Sequence, residues 1–354
     1  MFKQAALIII PSSTAGQERD QARVQSKTEV NPGMDIEKVF ELCADDMTAV
    51  DALIRESLDS NVVLIRQIAE YIIGSGGKRL RPMLVVLAAR ACGYHGQHHV
   101  TLATIIEFIH TATLLHDDVV DESDLRRGKE SAHAVWGNAA SVLVGDFLYS
   151  RSFQMMVTVE SMRVMEVLSD ATNTIAEGEV EQLLNMHDPE VSEEGYFSVI
   201  EKKTAKLFEA ACQLGAVLTG QPQLEVPLAC FGRELGAAFQ VADDVLDYTA
   251  DAETLGKNIG DDLAEGKPTL PLILSRKYLD GENRELIDAT IREGGIERIE
   301  EIVRLIRDCG ALDESRAVAM ARAEAANEAI SCLPDSKWKD AMETLASYSV
   351  SREY

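Results

Sequence analysis

Positive charge is scarce in this chain. Lysine and arginine number 34 against 59 aspartates and glutamates, a formal net charge of −25 at pH 7, and the sequence isoelectric point is about 4.6. Such a surface repels the phosphate backbone of nucleic acid, so nucleic acid is excluded as a partner and an anionic ligand must be met by a few local cations. No apolar run reaches the length of a membrane span, and with 46% hydrophobic and 26% charged residues the chain reads as a soluble globular protein. The six cysteines, Cys43, Cys92, Cys212, Cys230, Cys309 and Cys332, are scattered and include no CxxC pair. That leaves neither a zinc site nor a disulfide framework, and the expected location is a reducing cytoplasm. Alternating β-branched runs are almost absent, and no Ser/His or Cys/His arrangement points to a protein nucleophile.

What is present is helical periodicity. LIII at 7–10 is too short for a signal-peptide core and is followed by a polar stretch, so residues 1–33 are expected to be a disordered extension. Met34 precedes the first amphipathic pattern and is an expected natural start. From there apolar residues recur at three- and four-residue spacings, broken by GSGGKRLRP (74–82), Arg127-Gly128, Asp188-Pro189 and a polar connection over 256–271. The expected fold is all-α, a single bundle of about ten to thirteen helices over 34–354. LATIIEFIHTATLLHDDVVD (102–121) is apolar on most sides until its last turn, which marks a central buried helix.

That last turn carries LLHDDVVD (114–121), and the pattern returns as QVADDVLD at 240–247. Both copies close apolar helices, so the simplest geometry brings two helix ends together across one cavity, in one domain that spans the chain midpoint. On a helix wheel Asp117 and Asp121 lie about 40° apart and Asp118 about 100° away. Two carboxylates facing a cavity repel and lose hydration unless a cation joins them. Magnesium fits, because it takes hard oxygen ligands and completes its shell with water and substrate phosphate. Two such sites across a cavity suit a diphosphate. One DDxxD could equally decorate a solvated helix end; the second copy, again at the end of an apolar helix, argues against decoration.

The cations near these motifs are Lys78, Arg79 and Arg81 on a glycine-rich turn entering a helix, a setting in which N–H groups and guanidinium forks meet phosphate. Arg126 and Arg127 follow the first motif, and Lys203-Thr204, Lys257 and Lys267 flank the second. Each alone reads as a surface charge or charge balance. His110 lies two turns before Asp117 on the same face; a lone histidine there is more often a core residue. Glu107-x-x-His110 and Glu130-x-x-His133 also have the spacing of di-iron bundles, but that reading leaves both acidic motifs and GGKRLRP without a role.

Together GGKRLRP, HDDVVDESDLRRG, the Lys-Thr pair, FQVADDVLD and GKNIGDDLAEGKPTLP resemble, in order, the trans-prenyltransferases that elongate polyprenyl diphosphates. The similarity covers 34–354 and is strongest to the bacterial octaprenyl branch. It implies the isoprenoid-synthase fold around a deep central cavity, usually a homodimer, in quinone biosynthesis. It assigns Lys78, Arg81, His110 and Arg127 to isopentenyl diphosphate, and Arg126, Lys203, Thr204 and Gln240 to an allylic diphosphate, with farnesyl diphosphate the expected primer. Lys257 and Lys267 would be further diphosphate contacts. Magnesium would be held by Asp117 and Asp121 on one wall and by Asp243, with Asp244 or Asp247, on the other.

Product length should depend on the space below the first motif. The wheel favours Thr113 as lining, whereas Ala112 is supported by resemblance alone. Phe147, Phe153, Met155 and Met156 are candidates for a tunnel floor. The alternatives are a terpene cyclase, which needs no second diphosphate site, and a non-catalytic subunit of a heteromeric synthase, which is expected to lose aspartates that are intact here.

Overall fold

The three- and four-residue apolar spacing is realised as helices nearly throughout. The computed structural model describes residues 34–74, 77–126, 128–249, 260–295 and 297–351; the expected disorder over 1–33 lies outside them. Residues from Asp35 onward form one compact unit. In chain order, α1 is Ile36–Ser57, α2 Val63–Gly74, α3 Leu80–Ala91, α4 His98–Val120, α5 Ala132–Trp136, α6 Asn138–Thr158, α7 Met162–Asn185 and α8 Glu193–Ile200. A π-helical turn, Glu201–Ala205, leads into α9, Lys206–Thr219. There follow α10 Pro222–Leu246, α11 Asp261–Ala264, α12 Leu270–Tyr278, α13 Gly281–Glu293, α14 Ile299–Asp308, α15 Ala311–Ala329 and α16 Lys337–Ser351. The segmentation is finer than periodicity predicts, because α5 and α11 are single turns and the π turn interrupts one long apolar pattern. Residues 256–259 of the expected polar connection lie outside the described residues.

Helix α4 is central, as its pattern predicts: Leu102, Ile105, Ile106, Phe108, Ile109 and Leu115 are all buried. It packs against α3, α6 and α9, while α9 runs along α10 and α10 along α15. Each such aliphatic or aromatic side chain contributes about 1.5–3 kcal/mol of burial, so the ends of α4 and α10 are held by a rigid core. A second apolar cluster, including Val241, Leu272, Ile287, Ile302 and Leu312, fixes the C-terminal half of α10 to α12–α15.

Two glycines permit the close packing that shapes the cavity. A Cβ at Gly178 of α7 would stand 2.7 Å from the Lys203 backbone nitrogen, and one at Gly236 of α10 would stand 2.5 Å from Ala205 Cα. Both helices therefore press against the π turn. Such turns rotate side chains out of the regular helical register. After α4 a short antiparallel hairpin forms, with Leu125 paired to Glu130 and Arg126 to Lys129. Gly128 supplies its positive φ of 73°.

Candidate active site

Both acidic motifs end helices in the same way. Asp121 caps α4, its N–H bonded to the Asp117 carbonyl at 2.8 Å, and Asp247 caps α10, its N–H bonded to the Asp243 carbonyl at 3.1 Å. Helix C-termini carry partial negative charge, so carboxylates there are locally unfavourable by some tenths of a kcal/mol to about 1 kcal/mol each. That cost calls for cations. The two ends line one cavity of about 650 Å³, whose walls include Asp117, Asp121, Asp243, Asp244 and Asp247.

On the α4 wall, lysines meet the carboxylates. Lys203 Nζ lies 3.6 Å from Asp117 Oδ2 and 2.5 Å from Glu179 Oε2. Lys267 Nζ lies 2.9 Å from Asp121 Oδ2 and also contacts Glu265. Burial raises the Asp117 carboxyl above its ordinary value, against the pull of Lys203 and with help from Asp121. Burial, then the charge of Asp117, pushes Glu179 up to about 7, and Lys203 offsets only part of this. Burial also works against the charge on Lys267, but Asp262, Asp121 and Glu265 outweigh it and hold the ammonium above the ordinary lysine value.

Asp118, off the cavity-facing side as the wheel predicts, is fully buried and accepts from Arg126 Nε at 2.7 Å and Nη2 at 2.5 Å. Arg126 thus lines the cavity while anchored to the α4 end.

The α10 wall is organised by uncharged groups. Asp244, 2% exposed, accepts from Tyr196 OH at 2.5 Å and from Gln240 Nε2 at 2.8 Å. Thr204 Oγ1 donates to Gln240 Oε1 at 2.9 Å. Burial, then Asp262, raises the Asp244 carboxyl well above the ordinary aspartate range, against its two hydrogen bonds. Both Asp244 oxygens are thus engaged by protein groups, and Asp243 and Asp247 line the cavity beside it.

At the glycine-rich turn Arg81 Nη1 meets His110 Nε2 at 3.1 Å, and the guanidinium lies 4.6 Å from the Phe208 ring centre. Lys78 donates to Tyr348 OH of α16 at 2.6 Å. Lys78, Arg81 and His110 all line the cavity, as do Lys203, Thr204, Gln240 and Lys267. Arg127 and Lys257 lie outside the described residues.

Thr113 lines the cavity, whereas Ala112 is 1% exposed and stands outside its lining. The lining of this cavity does not include the floor candidates Phe147, Phe153, Met155 and Met156. The Arg151 guanidinium lies over the Phe147 ring, and Phe153 meets Tyr149 edge-on; Ile175, Leu207 and Phe239 are among the apolar residues that bound the cavity. Glu107 lines it beside His110, but Glu130 is exposed in the hairpin and His133 meets Ser131, so the two ExxH pairs do not converge.

Sequence reasoning missed Glu179, Glu265 and Tyr196. A signal existed for the first: AEGEVEQ places a glycine in mid-helix, where it is unfavourable without a packing reason.

Among the described residues no three His, Cys, Asp or Glu side chains form a ready-made metal cage. The donors present, hard carboxylates on facing walls with lysines beside them, fit a cation that completes its shell with water and phosphate oxygens.

The family model described as polyprenyl synthetase matches residues 62–306. The chain belongs to the polyprenyl synthetase family. It is 54% identical over 322 residues to an octaprenyl diphosphate synthase of Escherichia coli (strain K12), covering 90% of this chain and 100% of that one. It is 46% identical over 310 residues to an all-trans-nonaprenyl-diphosphate synthase (geranyl-diphosphate specific) of Rhodobacter capsulatus, covering 87% and 95%. Among solved structures, a polyprenyl synthase from Caulobacter crescentus CB15 complexed with calcium and isoprenyl diphosphate is similar, with 46% identity, a TM-score of 0.87 and coverage of 90% and 98%. Family membership makes the chain an enzyme, a prenyltransferase of isoprenoid biosynthesis, and sets the terpene cyclase aside.

Proposed function

We propose that the chain condenses isopentenyl diphosphate with an allylic diphosphate, farnesyl diphosphate being the expected primer, to make a long polyprenyl diphosphate of octaprenyl length for quinone side chains. The observation that carries this is the single cavity onto which both acidic helix ends and the cations of the GGKRLRP turn open. The acidic ends, loaded with metal, would serve one diphosphate and the cations of the turn the other. Intact aspartates in both motifs argue against a non-catalytic subunit, and the octaprenyl product draws support from the Escherichia coli relative.

Magnesium held by Asp117 and Asp121 on one wall and Asp243 with Asp247 on the other would neutralise the leaving diphosphate. Lys203, Lys267 and the guanidinium edge of Arg126 not used by Asp118 meet the charge that grows as the allylic C–O bond breaks, so they favour the transition state over the bound substrate. Thr204 and Gln240 orient the allylic diphosphate. Lys78, Arg81 and His110, with Arg127, hold isopentenyl diphosphate so that its double bond attacks the allylic carbon. The new C–C bond forms, and a proton passes to the released diphosphate to restore an alkene. The apolar walls at Leu207 and Phe239 keep out water that would quench the cation.

Bulk at Thr113, beneath Asp117, should shorten the product, and Ala112→Phe tests the neighbouring position; unchanged length with a lowered melting temperature would assign Ala112 to the core. A homodimer is supported by apolar side chains left exposed on α6 and α7, including Leu143, Val157, Leu183 and Leu184. No helix among the described residues is long and apolar enough to cross a membrane. A cytoplasmic location is proposed from the scattered cysteines, all free among the described residues. The test is incubation with farnesyl diphosphate, labelled isopentenyl diphosphate and Mg²⁺, followed by chromatography. A discrete octaprenyl product is expected; no incorporation would overturn the reading.

A further inference from the structure

Each of two lysines at the cavity forms ion pairs with two carboxylates, only one of which belongs to an acidic motif, and Lys267 also feels the charge of Asp262. Lys203 lies 3.6 Å from Asp117 but 2.5 Å from Glu179. Lys267 bridges Asp121 and Glu265 in the same way. The four carboxylates come from separate places in the fold: Asp117 and Asp121 from the end of α4, Glu179 from mid-α7, Glu265 from the turn after α11.

Glu179 is placed beside Lys203 by the close approach at Gly178, where a Cβ would stand 2.7 Å from the Lys203 nitrogen. Glu265 is held from its other side by Ser123 Oγ at 3.2 Å. Side chains of both pairs are less than a third exposed, so these contacts are less screened than surface ion pairs.

A divalent cation and a lysine cannot comfortably share the same aspartate. When the cation takes Asp117 and Asp121, like-charge repulsion drives both ammonium groups off those oxygens. A lysine has a flexible four-carbon stem, and without a second anchor it would swing out of reach of a diphosphate.

We propose that Glu179 and Glu265 are positioning residues that keep Lys203 and Lys267 at the cavity wall once a divalent cation occupies Asp117 and Asp121. They act on the substrate only through the lysines. The inference rests on the metal-assisted condensation proposed above.

The test is calorimetric binding of inorganic diphosphate with Mg²⁺ to the full chain, with no turnover involved. Glu179→Gln should weaken binding about tenfold, the scale of one charge-assisted contact. Glu179→Asp, which keeps the charge but withdraws it by one methylene, should also weaken it. Lys203→Ala should weaken it by a similar factor, and Glu179→Gln added to Lys203→Ala should cause no further loss. Glu265 and Lys267 should behave in the same way. In steady state, Glu179→Gln should raise KM for the allylic substrate and leave KM for isopentenyl diphosphate unchanged. Circular dichroism establishes that each variant is folded.

Additive losses in the double variant, or wild-type affinity in Glu179→Asp, would overturn the inference, because Glu179 would then act as a remote charge. If the wild-type chain binds no Mg²⁺-diphosphate, the proposed function falls together with it.

Discussion

At the end of α4 the middle aspartate, Asp118, is buried against the Arg126 guanidinium. At the end of α10 its counterpart, Asp244, is equally buried but is bonded by Tyr196 and Gln240, both uncharged. The same four-residue acidic pattern is thus neutralised by an ion pair on one wall and by hydrogen bonds on the other. Asp118 stands off the cavity and Asp244 borders it, while the outer pairs, Asp117 with Asp121 and Asp243 with Asp247, line it on both walls. The repeat is a repeat of backbone geometry, and the electrostatics were built around each copy separately.

Several substitutions sharpen this contrast. The largest effect is expected from Asp117→Ala, which removes a cavity-facing carboxylate: turnover should fall by about a thousandfold or more, the loss typical of dismantled charge stabilisation. Its helical circular dichroism should be unchanged, and substantial residual condensation would contradict the assigned role. Next comes Asp118→Asn. Leaving the Arg126 charge without its buried partner should cost about 3 kcal/mol of stability, seen as a lower denaturant midpoint. By contrast Asp244→Asn keeps groups able to bond Tyr196 and Gln240, and should cost no more than about 1 kcal/mol. Equal costs for the two asparagine variants would erase the distinction.

The smallest effect concerns pH. The Glu179 carboxyl is pushed up to about 7 from an ordinary 4.5, so in that interval the folded metal-free chain holds a proton that the unfolded chain has released. Stability from this group is complete below the unfolded value and is lost as pH rises through about 7. The melting temperature of the metal-free wild type should therefore fall relative to Glu179→Gln between about pH 5 and about pH 8. A parallel pair of curves would remove the burial argument.

Much of the site was legible because metal and phosphate chemistry demands particular side chains at fixed helical spacing. The wheel separates Asp118 from Asp117 and Asp121, and the structure gives Asp118 a different partner. It also favours Thr113 over Ala112 as lining, and only Thr113 reaches the cavity. The buried character of α4 followed from its apolar circumference.

What was not legible depends on long-range packing. The mid-helix Gly178 beside Glu179 signals a close approach, but that the approaching element is the π turn is visible only in the fold. Tyr196 pairs with Asp244 across 48 positions of sequence. Nor does the sequence distinguish among Phe147, Phe153, Met155 and Met156 as a floor; the rings of the first two meet Arg151 and Tyr149.

The central claim is that two acidic helix ends act together on one cavity. Its most direct test is a single-turnover reaction with Mg²⁺, farnesyl diphosphate and labelled isopentenyl diphosphate, comparing the wild type with Asp117→Ala and Asp243→Ala. Label should enter a longer prenyl chain in the wild type and in neither variant. Incorporation at the wild-type rate by either variant would show that one helix end suffices and would contradict the account.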